Sequence, residues 1–300
     1  MLMRYENVKQ GRTTLTKVQT TFHEFVELSN AEGNRHTSSD SSSTGGFYGD
    51  IGSYKEMYDA CYSGLNAAKM LEVKANLGAL MNHEVEEPRK ALVGETMNVA
   101  AFAAGHPYHY MKDSDEFGKP RVHLVYSTNA VAGVRADEFI RHGAAVCALV
   151  AEIAEQVDVK ISLYITNVYV LAGNGCQVVT IKDYDEVTDV PRVAATAHPS
   201  FFRRIGFSWF ENAKRLISEE CDQGCGGSST GKDRERVISD DDFKEWVGAA
   251  SDEMLVDFPA PDEHQFGNDS ATAEWLKVAA DAVTEGIDKN TNHVKLYDLL

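Results

Sequence analysis

Arg121-Val122-His123-Leu124-Val125-Tyr126-Ser127-Thr128-Asn129-Ala130 is an apolar run that ends in small polar residues. A segment of helical period follows at 136–156, then two more apolar runs at 159–171 and 176–184. A strand, a right-handed helical crossover and further strands open an α/β fold with an open, mostly parallel sheet flanked by helices. Ligands of such sheets sit at the carboxyl ends of the strands, which places the candidate binding residues at Ser127, Thr128 and Asn129. That turn offers hydroxyls and an amide, without a carboxylate, a thiol or a glycine-rich phosphate cradle. No catalytic residue, cofactor or metal is assigned to it.

Working outward, the crossover segment puts Ile140, Gly143, Ala144, Cys147, Val150 and Ile153 on one face, and its small residues allow close approach to the sheet. Residues 20–29 read as a short helix capped by a threonine, with Phe22, Phe25 and Val26 inward. The stretch 31–46 is almost all Ser, Thr, Gly, Asn and Asp and reads as a flexible loop. Ser53 caps a helix carrying Tyr54, Met57, Tyr58, Cys61 and Leu65, and a second helical segment spans 66–80. Gly173-Asn174-Gly175 reads as a turn. Residues 254–258 read as another strand, and 271–285 as an amphipathic helix with Trp275, Val278, Ala279 and Ala282 inward. The organisation expected is a largely helical region at 1–118 and an α/β domain at 119–300.

The chain has 300 residues and a formal net charge of -17. Between 237 and 290 there are fourteen acids and three bases, a balance of -11, whereas the first 23 residues hold four bases against Glu6. A field this negative repels phosphate, so nucleic acid would have to find a local basic groove. Five scattered cysteines are not a disulfide framework, and no apolar stretch approaches the roughly 18 residues that span a bilayer. A cytoplasmic protein without membrane contact is expected.

Several motifs come near a chemistry. Residues 226–233 fit the phosphate-loop spacing until Asp233 stands where a magnesium-binding hydroxyl belongs, and no strand precedes them. Cys221 and Cys225 lack a second ligand pair for zinc. His106 and His109, with Asp113 and Asp115 nearby, are the residues on which a metal-dependent hydrolase would have to rest. Arg203, Arg204, Lys214 and Arg215 lie on an aromatic segment with Phe201, Phe202, Phe207, Trp209 and Phe210. Rings beside cations are how single strands are held without sequence preference, and five rings in ten residues are equally the core face of a helix.

Residues 122–185 resemble the first half of a von Willebrand factor A domain. That family's metal site needs Asp-x-Ser-x-Ser, and the matching positions here are Tyr126, Thr128 and Ala130, so the resemblance implies a fold whose metal site is degenerate. Four further stretches, Phe47 to Glu56, Ala104 to Pro107, Arg141 to Ala145 and His198 to Arg204, resemble an uncharacterised family of phages and mobile elements. The function expected is a non-enzymatic phage accessory protein that binds another macromolecule, with a protein partner, at the strand ends. The alternative is a single-stranded nucleic-acid-binding cofactor of phage transcription or replication that uses the aromatic-basic segment and the basic N-terminal arm.

Overall fold

A computed structural model describes residues 4–10, 13–30, 45–65, 90–91, 96–97, 110–111, 119–130, 134–154, 156–169, 173–209, 212, 239–261 and 264–299. Strands β1 (Arg4–Gln10) and β2 (Thr13–Thr21) form an antiparallel hairpin, and β3 (Lys90–Ala91), β4 (Thr96–Met97) and β5 (Tyr110–Met111) a small separate sheet. The main sheet continues through β6 (Arg121–Ser127), β7 (Asp158–Tyr169), β8 (Gly173–Lys182), β9 (Met254–Asp257) and β10 (His293–Lys295). It has seven strands in the order β1-β2-β8-β7-β6-β9-β10. The β2–β8, β6–β7, β6–β9 and β9–β10 pairs are parallel, while β1–β2 and β7–β8 are antiparallel. The expected α/β sheet, open, mostly parallel and flanked by helices, is therefore present.

Counted from β6, the strand order is 3-2-1-4-5, that of a doubly wound sheet with its third strand reversed. The order changes direction between β6 and β9. Alternation along β6 sets the two faces. Val122, Leu124 and Tyr126 enter the large core, and Val125 enters a smaller cluster on the other side.

The large core is built from helices α1 (Phe22–Ser29), α3 (Tyr54–Ser63), α4 (Ala136–Ile153), α5 (Val190–Ala197) and α7 (Asp269–Asp288), with the four-residue α2 (Gly45–Tyr48) nearby. Each helix that packs here starts at a local signal. Thr21 closes a capping box with Glu24, Ser53 accepts from the Glu56 amide, and Asp189 accepts from Arg192 with a proline in the first turn. On the second face α6 (Asp240–Val247) lays Phe243, Trp246 and Val247 over Val125, Tyr164, Val178 and Leu255. Asp240, Asp241 and Asp242 fill its first turn, where the helix dipole favours negative charge, and Ser239 caps it. Part of the acidic C-terminal third thus starts a helix.

Three readings change. Residues 4–10 and 13–21, taken as a basic arm leading into a helical region, are two strands of the main sheet, and Lys17 is buried with its ammonium 5.3 Å from the Trp246 ring centroid. Helices α1 and α3 share the core of β6 and α4, so these two helices pack with the α/β part in one core. Gly173-Asn174-Gly175 opens β8 and pairs with both neighbouring strands. Among the described residues no helix is long and apolar enough to cross a membrane. The segment 66–80, expected as a helix, and most of the loop 31–46 lie outside the described residues.

Candidate functional site

The crevice of a doubly wound sheet lies where the strand order reverses, here at the carboxyl ends of β6 and β9. Ser127, Thr128 and Asn129 stand at the first of these and Asp257 at the second, with the Phe258 amide donating to the Val125 carbonyl at 2.8 Å. The turn is held locally, since the Asn129 amide donates to Ser127 Oγ at 3.1 Å. All four residues are at most 1% exposed. The turn expected to meet a partner is therefore sealed, and Ser127, Thr128 and Asn129 brace the edge from within instead of forming its surface. Asp257 supplies a buried carboxylate that reading the β6 turn alone did not bring to the site. Among the described residues no group of three or more His, Cys, Asp or Glu is placed to hold a metal ion.

Two staples close the edge. From α4, Arg141 Nε donates to the Phe266 carbonyl at 2.6 Å and its Nη2 to the Gly267 carbonyl at 3.0 Å. His142 Nε2 lies 2.9 Å from the Pro259 carbonyl, with its ring edge-on to Phe258 and Phe266. Burial pushes this imidazole down to about 3, against the raising effect of the Pro259 carbonyl.

The second staple comes from the π-helical turn Phe201–Gly206 and the residues before it. Arg203 donates to the Phe47 carbonyl and, at 2.7 Å, to the Val134 carbonyl, with its guanidinium over the Phe47 and Phe139 rings. Arg204 donates to the Gly52 carbonyl at 2.9 Å and covers the Tyr48 ring. Ser200 Oγ donates to the Tyr48 carbonyl, and His198 Nδ1 accepts from the Ser200 amide, which leaves Nε2 to donate to Asp50 at 3.1 Å. Gly49 fits beneath this imidazole with φ +78°, and a Cβ there would stand 3.0 Å from His198 Cε1.

Arg203 and Arg204 are 2% and 1% exposed. Their donors meet backbone carbonyls, and no phosphate can reach them, so these two candidates for nucleic-acid contact are corrected to internal clamps. The other two, Lys214 and Arg215, lie outside the described residues. So do the phosphate-loop lookalike at 226–233, Cys221, Cys225, His106 and His109. Phe201, Phe202 and Trp209 are core residues.

On the second face of the sheet, register brings together three residues that are far apart in sequence. His123 Nε2 lies 2.9 Å from Ser162 Oγ, and His123 Nδ1 lies 3.9 Å from a Glu253 carboxylate oxygen. The order resembles a nucleophile, base and acid, but 3.9 Å is beyond hydrogen-bond reach. His123 and Ser162 are both 0% exposed, so a substrate has no route to the hydroxyl in this conformation. Desolvation, and next the Lys160 charge, push the imidazole down to about 3. The set ties β6 to β7 beneath the surface.

What the edge presents to solvent is a rim. Asp50 and Asp269 have side chains 80% and 81% exposed, Arg135 is exposed, and Asp137 pairs with Arg135 and Arg141. The chain belongs to the family of a domain of unknown function, DUF7192, which matches residues 2–255. No curated protein and no solved structure matches it.

Proposed function

We propose that this member of the DUF7192 family is a non-enzymatic accessory protein that binds a protein partner through the rim of its carboxyl edge. The observation that carries the reading is the combination at that edge of a sealed interior and an exposed, predominantly acidic rim. Among the described residues Asp50, Asp137 and Asp269 outnumber Arg135 and the mostly buried Arg141 there. An acidic rim repels phosphate and suits a basic protein surface. The single-strand alternative loses two of its four cations to the interior. The sheet order, with a turn that keeps Thr128 and lacks the aspartate, supports a degenerate relative of the von Willebrand factor A domain. The phage setting rests on the resemblance of the stretches within 47–215.

Tagged protein, used as bait in a lysate of the cells that produce it, is expected to retain a protein partner after nuclease treatment. Asp50→Lys combined with Asp269→Lys should lower recovery at least about tenfold, the loss that follows from about 1.4 kcal/mol of binding energy. The same charge change at the exposed Asp281 and Asp288 of α7 should leave recovery unchanged. Recovery that nuclease abolishes, or that the rim variant retains, contradicts the proposal.

A further inference from the structure

Side chains of α1 and α3 meet in a seam of polar and aromatic groups. Tyr58 Oη donates to Glu27 Oε1 at 2.8 Å, and Tyr62 Oη donates to the same oxygen. The Tyr58 and Tyr62 ring centroids are 5.3 Å apart, and the His23 ring meets Tyr62 edge-on at 5.9 Å. The seam stays wet. Tyr62 is 48% exposed, and His23 and Glu27 are exposed too. Both phenols use Oε1, so among the described residues Oε2 takes no hydrogen bond.

Neighbouring charges are already engaged. Lys55 is paired with Asp59, Glu56 accepts from the Gly52 amide, and Glu24 belongs to the capping box of α1. Among the described residues Glu27 is the carboxylate of the seam with no lysine or arginine paired to it, and its phenol partners, Tyr62 first, hold its carboxyl below the usual range, so it is anionic at neutral pH. If the seam only fastened α1 to α3, burial of both tyrosines would serve better than leaving one half in solvent. An anion fixed between exposed aromatic rings has the chemistry of a cation site. A guanidinium can stack on a ring and pair with the carboxylate at once, and tyrosine is enriched where protein partners bind most strongly.

We infer that the Tyr58–Tyr62–Glu27 seam is a docking surface for an arginine-bearing segment of a protein partner. It is a second surface, distinct from the carboxyl edge, and its test is independent of the rim variants. The probe is a fluorescein-labelled peptide of alternating glycine and arginine, titrated into the full chain at physiological salt and followed by anisotropy. Saturable binding is expected, weakened about fivefold or more by Tyr62→Ala and by Glu27→Gln, and largely kept by Tyr62→Phe. Asp281→Asn on α7 removes the same charge as Glu27→Gln and should change nothing. Citrulline in place of arginine should abolish binding. Absence of saturable binding, an unchanged affinity in Glu27→Gln, or equal weakening by Asp281→Asn would overturn the inference, the last because attraction would then be to the charge of the whole chain. Should Tyr62→Ala lower the melting temperature, Glu27→Gln at its exposed site decides the question alone.

Discussion

Replacing Arg203 with methionine is expected to lower the unfolding free energy by about 3 kcal/mol or more. The sign is not obvious, because a buried cation is costly to desolvate, and swapping buried ion pairs for apolar residues of similar shape is often neutral. Desolvation acts on Arg203 strongly enough to push its guanidinium down to about 10. What decides the matter is the nature of its acceptors. The carbonyls of Phe47 and Val134 belong to the backbone, so no side-chain replacement removes them, and methionine leaves both without this donor. The faces of Phe47 and Phe139 lose their cation as well. Arg203→Lys should fall between wild type and methionine, because an ammonium cannot fork between two carbonyls or stack as a plane. Chemical denaturation monitored by circular dichroism gives the values. A loss under about 0.5 kcal/mol, the level of an ordinary surface substitution, would show that the clamp carries little.

The second large effect is acid lability that begins near neutrality. His123 and His142 both have folded-state values lowered from the ordinary 6.5 to about 3, chiefly by burial. Below 6.5 the unfolded chain takes up both protons while the folded chain does not, so stability is intact above 6.5 and falls as the pH drops toward 3. Each group approaches a slope of about 1.4 kcal/mol per pH unit once the unfolded imidazole is charged, so two together remove about 3 kcal/mol between pH 6.5 and pH 5. Exposed carboxylates have hardly begun to titrate there. His142→Gln should halve the slope of stability against pH in this window, whatever it does to the absolute value. Glu253, 3.9 Å from His123, carries a charge that would favour a proton on that ring. A slope that stays flat down to pH 5 would mean that this carboxylate outweighs burial.

The frame was legible where local pattern and burial agree. Residues 121–130 alternate between two apolar faces, and the crossover helix carries small residues toward the sheet, so β6, α4 and β7 follow from the string. The hairpin was missed because β1 and β2 are rich in threonine and charge. Their signal is β-branched content, with Thr13, Thr14, Thr16, Val18, Thr20 and Thr21 in nine residues, rather than hydrophobicity. Arg203 and Arg204 misled for a related reason. Arginine is seldom fully buried, and only the tertiary arrangement supplies the carbonyls and ring faces that accept it. The three stretches Phe47 to Glu56, Arg141 to Ala145 and His198 to Arg204 stood out separately as sequence, and the structure gives them a common role in closing the carboxyl edge. The line of Ser162, His123 and Glu253 had no local signal at all, since register between strands brings it together, and the same is true of Asp257 beside the β6 turn.

The most direct test of the carboxyl edge as a recognition surface is site-specific photo-crosslinking in the cells that produce the protein. A benzophenone amino acid in place of Asp137, on the rim, should give a crosslinked adduct that protease removes and nuclease does not. The same residue in place of Asp281, on the far part of α7, should give none. Adducts that form from position 281 and not from 137, or a rim adduct that nuclease removes, would contradict the account.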